Sequence, residues 1–217
     1  VTIRHLLTHT GGLPDYGGLP AYHDAVRGQP GMPWDDRRFL AVIAERGMQF
    51  RPGEGWAYSN LGYLLLRHIL ARATGTSFGE TLTRLVIAPA GLRHTAVLTS
   101  PKDMAALTPG YSTALGENDA PEDVVGRYHP GWVSHGLVAS TASDLARFMD
   151  ALLTGRLVDA PLRDEMLRPV RVPGSHPPFV APSYGLGVML DPAFPQGLLV
   201  GHGGGGPGFT TAAFHVR

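Results

Sequence analysis

Apolar positions recur along this chain first at helical and later at strand-like spacing. Ile3, Leu6 and Leu7 share one face of a short helix over residues 3–9, which Gly11, Gly12 and Pro14 halt. From Gly17 to Pro33 glycine and proline recur too often for a regular element, so a loop is expected. Residues 34–46 put Phe39, Leu40, Ile43 and Ala44 on one helix face, with Asp35 and Asp36 in the first turn and Gly47 at the end. A Pro52-Gly53 turn precedes an apolar core helix over 61–73, closed by Gly75. Ser77-Phe78-Gly79-Glu80 has the form of a capping box and opens a helix to about Ala88. Residues 94–98 suit a strand, and Ser100, Pro101 and Asp103 start a brief helix. Residues 108–135 are turn-rich and lack periodicity.

A second capping-box pattern, Thr141-Ala142-Ser143-Asp144, opens a helix over 145–153 with the stripe Leu145, Phe148, Met149 and Leu152. Another short helix is expected over 162–167. Residues 184–190, 197–202 and 209–216 then read as three strands joined by glycine- or proline-rich turns. Helices early and strands late give an α+β class: a mainly helical and loop region over 1–175 and antiparallel strands over 176–217. The chain has no visible internal repeat.

Composition narrows the function. At 217 residues the chain can bury a sizeable core, and 18 basic residues balance 18 acidic ones. Only 17% of residues are charged, which excludes a basic nucleic-acid binder and a disordered tail. There is no cysteine, hence no disulfide framework, thiolate-ligated metal or thiol nucleophile among these residues. No apolar run reaches a membrane span, because Arg67 and His68 interrupt the richest stretch. Lys102 is the sole lysine, so any lysine-dependent proton transfer uses it or residues outside this chain.

Three motifs match on paper and lack the context their chemistry needs. Gly75-Thr76-Ser77-Phe78-Gly79 has the spacing of a nucleophile elbow but follows a helix rather than a strand, so Ser77 is expected to cap a helix. His5 and His9 stand at zinc-ligand spacing without the glutamate that would act as base. Gly201-His202-Gly203-Gly204-Gly205-Gly206 meets the dinucleotide pattern, yet a turn and a strand follow instead of a helix. Its glycines instead allow another backbone or a ligand close to a strand edge. More informative is the pair formed by Tyr58-Ser59-Asn60, which can aim a phenol and a carboxamide into one cleft, and His202-Gly203-Gly204.

The segment Ile3-Arg4-His5-Leu6-Leu7-Thr8-His9-Thr10-Gly11-Gly12-Leu13-Pro14 resembles the helix-and-turn segment of the serine β-lactamase-like family of class C β-lactamases, penicillin-binding proteins and related esterases. Further matches follow in the family's order. They are Pro52-Gly53 with Tyr58-Ser59-Asn60-Leu61-Gly62-Tyr63, then the block from Gly136 to Ala146, then Tyr184-Gly185-Leu186-Gly187, and finally Gly201-His202-Gly203-Gly204 with Pro207-Gly208-Phe209. The resemblance implies a β-lactamase/transpeptidase-like fold, represented here by one partial domain, incomplete at both ends. It also implies acyl transfer to an amide or ester substrate, small or peptide-like, through a serine ester. No metal or organic cofactor is implied, and the setting would be periplasmic or extracellular.

By the same resemblance Tyr58 is the catalytic tyrosine of the Y-x-N motif, and Asn60 binds substrate. His202 and Gly204 match the H-x-G strand motif, with Gly203 between them in contact with substrate. The Gly205 N–H would form half of an oxyanion hole. One departure stands out: the family's S-x-x-K pair is missing. Thr99, three residues before Lys102, is a poor substitute because Pro101 intervenes at a helix start, so the nucleophile pair is expected upstream of Val1. A non-catalytic module that keeps the cleft to hold ligand is the alternative reading. A histidine-ligated metal hydrolase built on His5 and His9 is a third.

Overall fold

A computed structural model describes residues 1–115 and 120–217. Helix α1 spans Ile3–Leu7, with Thr2 accepting from the His5 N–H at its start. The expected loop after Gly17 is instead interrupted by α2, Pro20–Gly28. Proline and glycine mark its ends rather than its interior, since Pro20 occupies the first turn, where a missing N–H costs nothing. Helix α3, Asp36–Arg46, starts two residues later than the periodicity suggests because the Asp35 carboxylate accepts from Arg38 N–H at 2.7 Å and so sets the cap. Trp34 is left outside the helix, with the Arg38 guanidinium 4.6 Å over its ring.

Helix α4, Asn60–Thr74, carries Leu61 and Leu64, both fully buried, and ends where Gly75 turns left-handed. Arg67 and His68 both reach Asp36, tying α4 to α3. The Ser77–Glu80 box forms as read and opens α5, Phe78–Leu82, which continues as a widened π-helical turn over Thr83–Ile87. Strand β1, Ala96–Leu98, is followed by α6, Pro101–Met104.

Among the described residues, the turn-rich stretch 108–135 contains two short paired strands, β2 (Tyr111–Ser112) and β3 (Glu122–Asp123), and two 3-10 turns, Thr113–Leu115 and Pro130–Trp132. Strands this brief leave no alternation to read; residues 116–119 of the stretch lie outside the described residues. Strand β4, Leu137–Ala139, pairs antiparallel with β1.

Helix α7, Ala142–Leu153, keeps only half of its expected capping box. Thr141 caps the Asp144 N–H, but the Asp144 carboxylate turns away to accept from His94 N–H, Thr95 Oγ1 and Arg147. It thereby pins the approach to β1 against α7. Helix α8, Ala160–Met166, is capped by Asp159.

Five antiparallel strands follow in sequential order: β5 (Val170–Arg171), β6 (Ser183–Tyr184), β7 (Met189–Asp191), β8 (Leu199–Gly206) and β9 (Phe209–Val216). The single strand expected over 184–190 is a hairpin instead. Gly187, at φ +81°, makes the bend, and Gly185 N–H donates to the Val188 carbonyl at 2.8 Å. The strand expected over 197–202 runs on through the glycines to Gly206, because pairing with β9 supplies the hydrogen bonds that side chains do not.

Two of the three apolar clusters among the described residues bear on this arrangement. One gathers Phe39, Val42, Leu61, Leu64, Met104, Val124 and Trp132 among the helices. The other packs Met149 and Leu153 of α7 against Val188, Leu190 and Val200 of the sheet. The sheet's tight point is Gly201, where a Cβ would lie 2.1 Å from the Ala213 carbonyl oxygen and 2.6 Å from Phe214 Cα. Gly201→Ala is therefore expected to pry β8 from β9 and cost about 1–3 kcal/mol in urea unfolding. Gly205→Ala, which meets nothing within 4 Å, should leave the unfolding midpoint nearly unmoved.

Candidate active site

The loop before α4 is strapped to the segment after α1 by three backbone hydrogen bonds. Gln49 N–H donates to Gly12 at 2.8 Å, Gly53 to Thr10 at 2.8 Å and Ala57 to His9 at 3.0 Å. These fix the approach of Tyr58, and His9 is the pivot beneath it. His9 adopts φ +58°, a left-handed backbone that costs a residue with a side chain about 1–3 kcal/mol. Its buried ring accepts the Ser59 N–H on Nδ1 at 3.1 Å, so its proton sits on Nε2, which finds no hydrogen-bond partner among the described residues. Four aromatic rings surround it: Tyr58 at 4.2 Å between centroids, Tyr184 at 4.7 Å, Tyr63 at 5.0 Å and Trp56 at 5.8 Å. Burial, and then the proximity of His202 and His135, push its pKa down to about 3, keeping the ring neutral at working pH.

Tyr58 lays its ring on His9 and retains 38% of its surface open. Its hydroxyl makes no hydrogen bond among the described residues. Burial, then the Asp15 carboxylate and Tyr16, raise its pKa, so the phenol is protonated at neutral pH. Ser59, next in the chain, is consumed structurally: its hydroxyl donates to the Pro14 carbonyl at 2.8 Å and accepts from Gly62 N–H at 3.2 Å. Asn60 is engaged as well, donating to Asp15 through its backbone N–H at 2.8 Å and its carboxamide at 3.1 Å.

Across from Tyr58 stands β8, with the His202 imidazole 6.4 Å from the phenol ring. Both nitrogens of His202 are occupied. Nδ1 donates to the Gly203 carbonyl, which leaves Nε2 to accept from the Tyr184 hydroxyl at 2.8 Å. Burial lowers the pKa of this ring, and the Gly203 bond opposes that shift. Donating to a substrate therefore requires His202 to exchange one of these partners. Gly203 and Gly204 pair with Ala212 and Thr211, and Gly205 faces open space. The side-chain-free edge thus begins directly after the imidazole.

Tyr58 also lines a cleft of about 400 Å³ with Pro14, Asp15, Leu19, Arg46 and Gln49. That cleft opens on the side of Tyr58 formed by α3 and the Pro14 turn, with no β8 residue in its wall.

The other candidates resolve into structural work. Ser77 caps α5. His5 accepts from Thr2 N–H and His9 from Ser59 N–H, two different duties. Thr99 gives both its N–H and its hydroxyl to Asp103, at 2.8 and 3.0 Å, so it is not paired with Lys102. Sequence reasoning missed the roles of Asp15 and Tyr184. The first follows directly on the Gly-Gly-Leu-Pro turn; the second lies inside a matched block and was visible without a partner.

A family profile described as Beta-lactamase matches residues 1–217. Penicillin-binding protein 4* of Bacillus subtilis is 32% identical over 97% of this chain and 48% of its own length. A D-stereospecific amidohydrolase from Streptomyces sp. superposes with a TM-score of 0.84 at 31% identity, covering 100% of this chain and 64% of that one. The D-amino acid amidase of Ochrobactrum anthropi gives a TM-score of 0.75 at 30% identity, covering 97% and 59%. The chain thus spans about half the length of that penicillin-binding protein.

Proposed function

Because this chain belongs to the Beta-lactamase family, we propose that the whole protein is a serine hydrolase that opens amides or esters through an acyl-serine intermediate. The observation carrying this reading is the placement of the Tyr58 ring 6.4 Å from the His202 ring, at the head of a glycine edge. A reacting carbonyl would lie between them, with Gly205 N–H one donor to its developing oxyanion and the serine's own N–H the other. Gly203 and Gly204 would let the rest of the substrate run beside the strand. The Ser/Lys pair would come from outside this chain.

Tyr58 would be the proton-transfer residue. As its surroundings stand, burial and Asp15 hold it protonated, so acting as a base requires a cation at its oxygen. The lysine of the family pair would supply that charge. Tyr184 would lock the His202 tautomer, and Asn60, held by Asp15, would keep its carbonyl oxygen for an N–H of the substrate.

The test is pre-steady-state turnover of a p-nitrophenyl ester by the full-length protein. A burst of p-nitrophenol equal to the enzyme concentration is expected, with an acyl adduct in the intact mass. Reversible binding without burst or adduct would instead favour a ligand-holding module.

A further inference from the structure

We propose that Asp15 is a recognition site for a primary ammonium, so that the ligands this cleft selects carry a free amine. Such a ligand would be an amino-acid amide, an amino-acid ester or a peptide with an unblocked amino end. What is done to the ligand rests on the hydrolase reading; the binding itself does not.

Asp15 lines the same cleft of about 400 Å³ as Tyr58, within the usual range for small-molecule sites. Its carboxylate is held rigidly. Oδ1 accepts from Asn60 N–H at 2.8 Å, and Oδ2 from Gly17 N–H at 3.1 Å and the Asn60 carboxamide at 3.1 Å. A carboxylate has about four acceptor positions. One remains on Oδ1, and no cationic side chain pairs with Asp15 among the described residues. A fixed, half-buried anion beside an exposed tyrosine face offers an ammonium both a charge-assisted hydrogen bond and a cation–π surface.

The other charged group on this cleft is Arg46, which is exposed and also has no acidic partner among the described residues. Its charge is screened by solvent, whereas that of Asp15 is sheltered. Tyr58, Tyr16 and Tyr22 are the remaining titratable neighbours, and all three have raised pKa values to which Asp15 contributes. An ammonium seated on Asp15 would cancel that contribution. The preferred substrate would then ease deprotonation of Tyr58 on binding.

The experiment compares binding of D-phenylalanine amide and N-acetyl-D-phenylalanine amide to the full-length protein by calorimetry. The free amine is expected to bind at least tenfold tighter at pH 6.5. That advantage should vanish as pH rises past the ligand's own amine pKa, about 7.7–8.0 for an α-amino group. In Asp15→Asn the ratio of the two affinities should fall to near one. Equal binding of the two ligands, no saturable binding of either, or a ratio surviving in Asp15→Asn would overturn the inference. If Asp15→Asn does not fold, acetylation and pH decide with the wild-type protein alone. The ester burst is read separately, so loss of the burst with amine selectivity intact removes the hydrolase reading and leaves this site standing.

Discussion

Replacing Tyr58 by phenylalanine in the full-length protein is expected to lower kcat on an activated ester by roughly 10²–10⁴-fold while leaving KM and the melting temperature nearly unchanged. The phenol oxygen is the only atom removed, and it makes no hydrogen bond among the described residues. The ring remains, and with it the 4.2 Å stacking on His9 that seats the loop. A group that moves a proton only in the transition state should show itself in kcat. A loss confined to KM, or a drop in melting temperature with matching loss of activity, would make Tyr58 a binding or packing residue.

Acid is expected to destabilise the fold well above the range where carboxylates titrate. His9 is pushed down to about 3, by burial and then by His202 and His135. His135 is pushed down to about 4, by burial and then by Arg67 and His202. Both start from 6.5 in the unfolded chain. Between the folded and unfolded values the unfolded state binds more protons, so stability rises with pH through that window. The contribution is complete above about pH 7 and is lost as pH falls toward 4 and then 3. Each histidine supplies a slope of up to about 1.4 kcal/mol per pH unit.

Asp191 adds to this at lower pH. Burial alone would raise its carboxyl, but N–H donors from Val180, Ala181 and Ala193 outweigh that and hold it below 3.8. Its contribution is lost only as pH drops past that value. Urea unfolding at pH 7, 6 and 5 should show a midpoint falling steadily with an unchanged m-value. A midpoint flat between pH 7 and 5 would mean that the two imidazoles are free to charge in the folded state.

What could be read from the sequence was mostly local. Ser77 caps its helix through a hydrogen bond from the N–H three residues ahead, so a short window of residues suffices to see it, whereas Asp35, expected inside the first turn, caps α3 from just before it. Helix α2 is hidden in the sequence because proline and glycine read as breaks wherever they stand, whereas here they bound the helix at either end. The β6–β7 hairpin escaped because two- and three-residue strands carry no period.

The site shows the same division. The ordered blocks of the sequence pointed to Tyr58, Asn60 and the His202 strand, and the fold sets the Tyr58 and His202 rings near one another. The sequence alone did not show that the Asn60 carboxamide is tied to Asp15, 45 residues away, or that His202 is tied to Tyr184, 18 residues away. The spacing of His5 and His9 suits a metal ligand pair, whereas the fold uses His9 as a strained, neutral anchor for Ser59 and a platform for Tyr58. Contacts across such separations depend on the packing of α1 against α4 and on the pairing of β6, β7 and β8, which no local pattern encodes.

The central claim is that Tyr58 and His202 serve one reacting centre, and a double-mutant cycle on kcat/KM tests it most directly. Tyr58→Phe, His202→Ala and the double variant would be assayed in the full-length protein with the same ester. The account predicts strong non-additivity, with the double variant little worse than the poorer single one. Losses that simply multiply would contradict it, because they would place the phenol and the imidazole in independent sites.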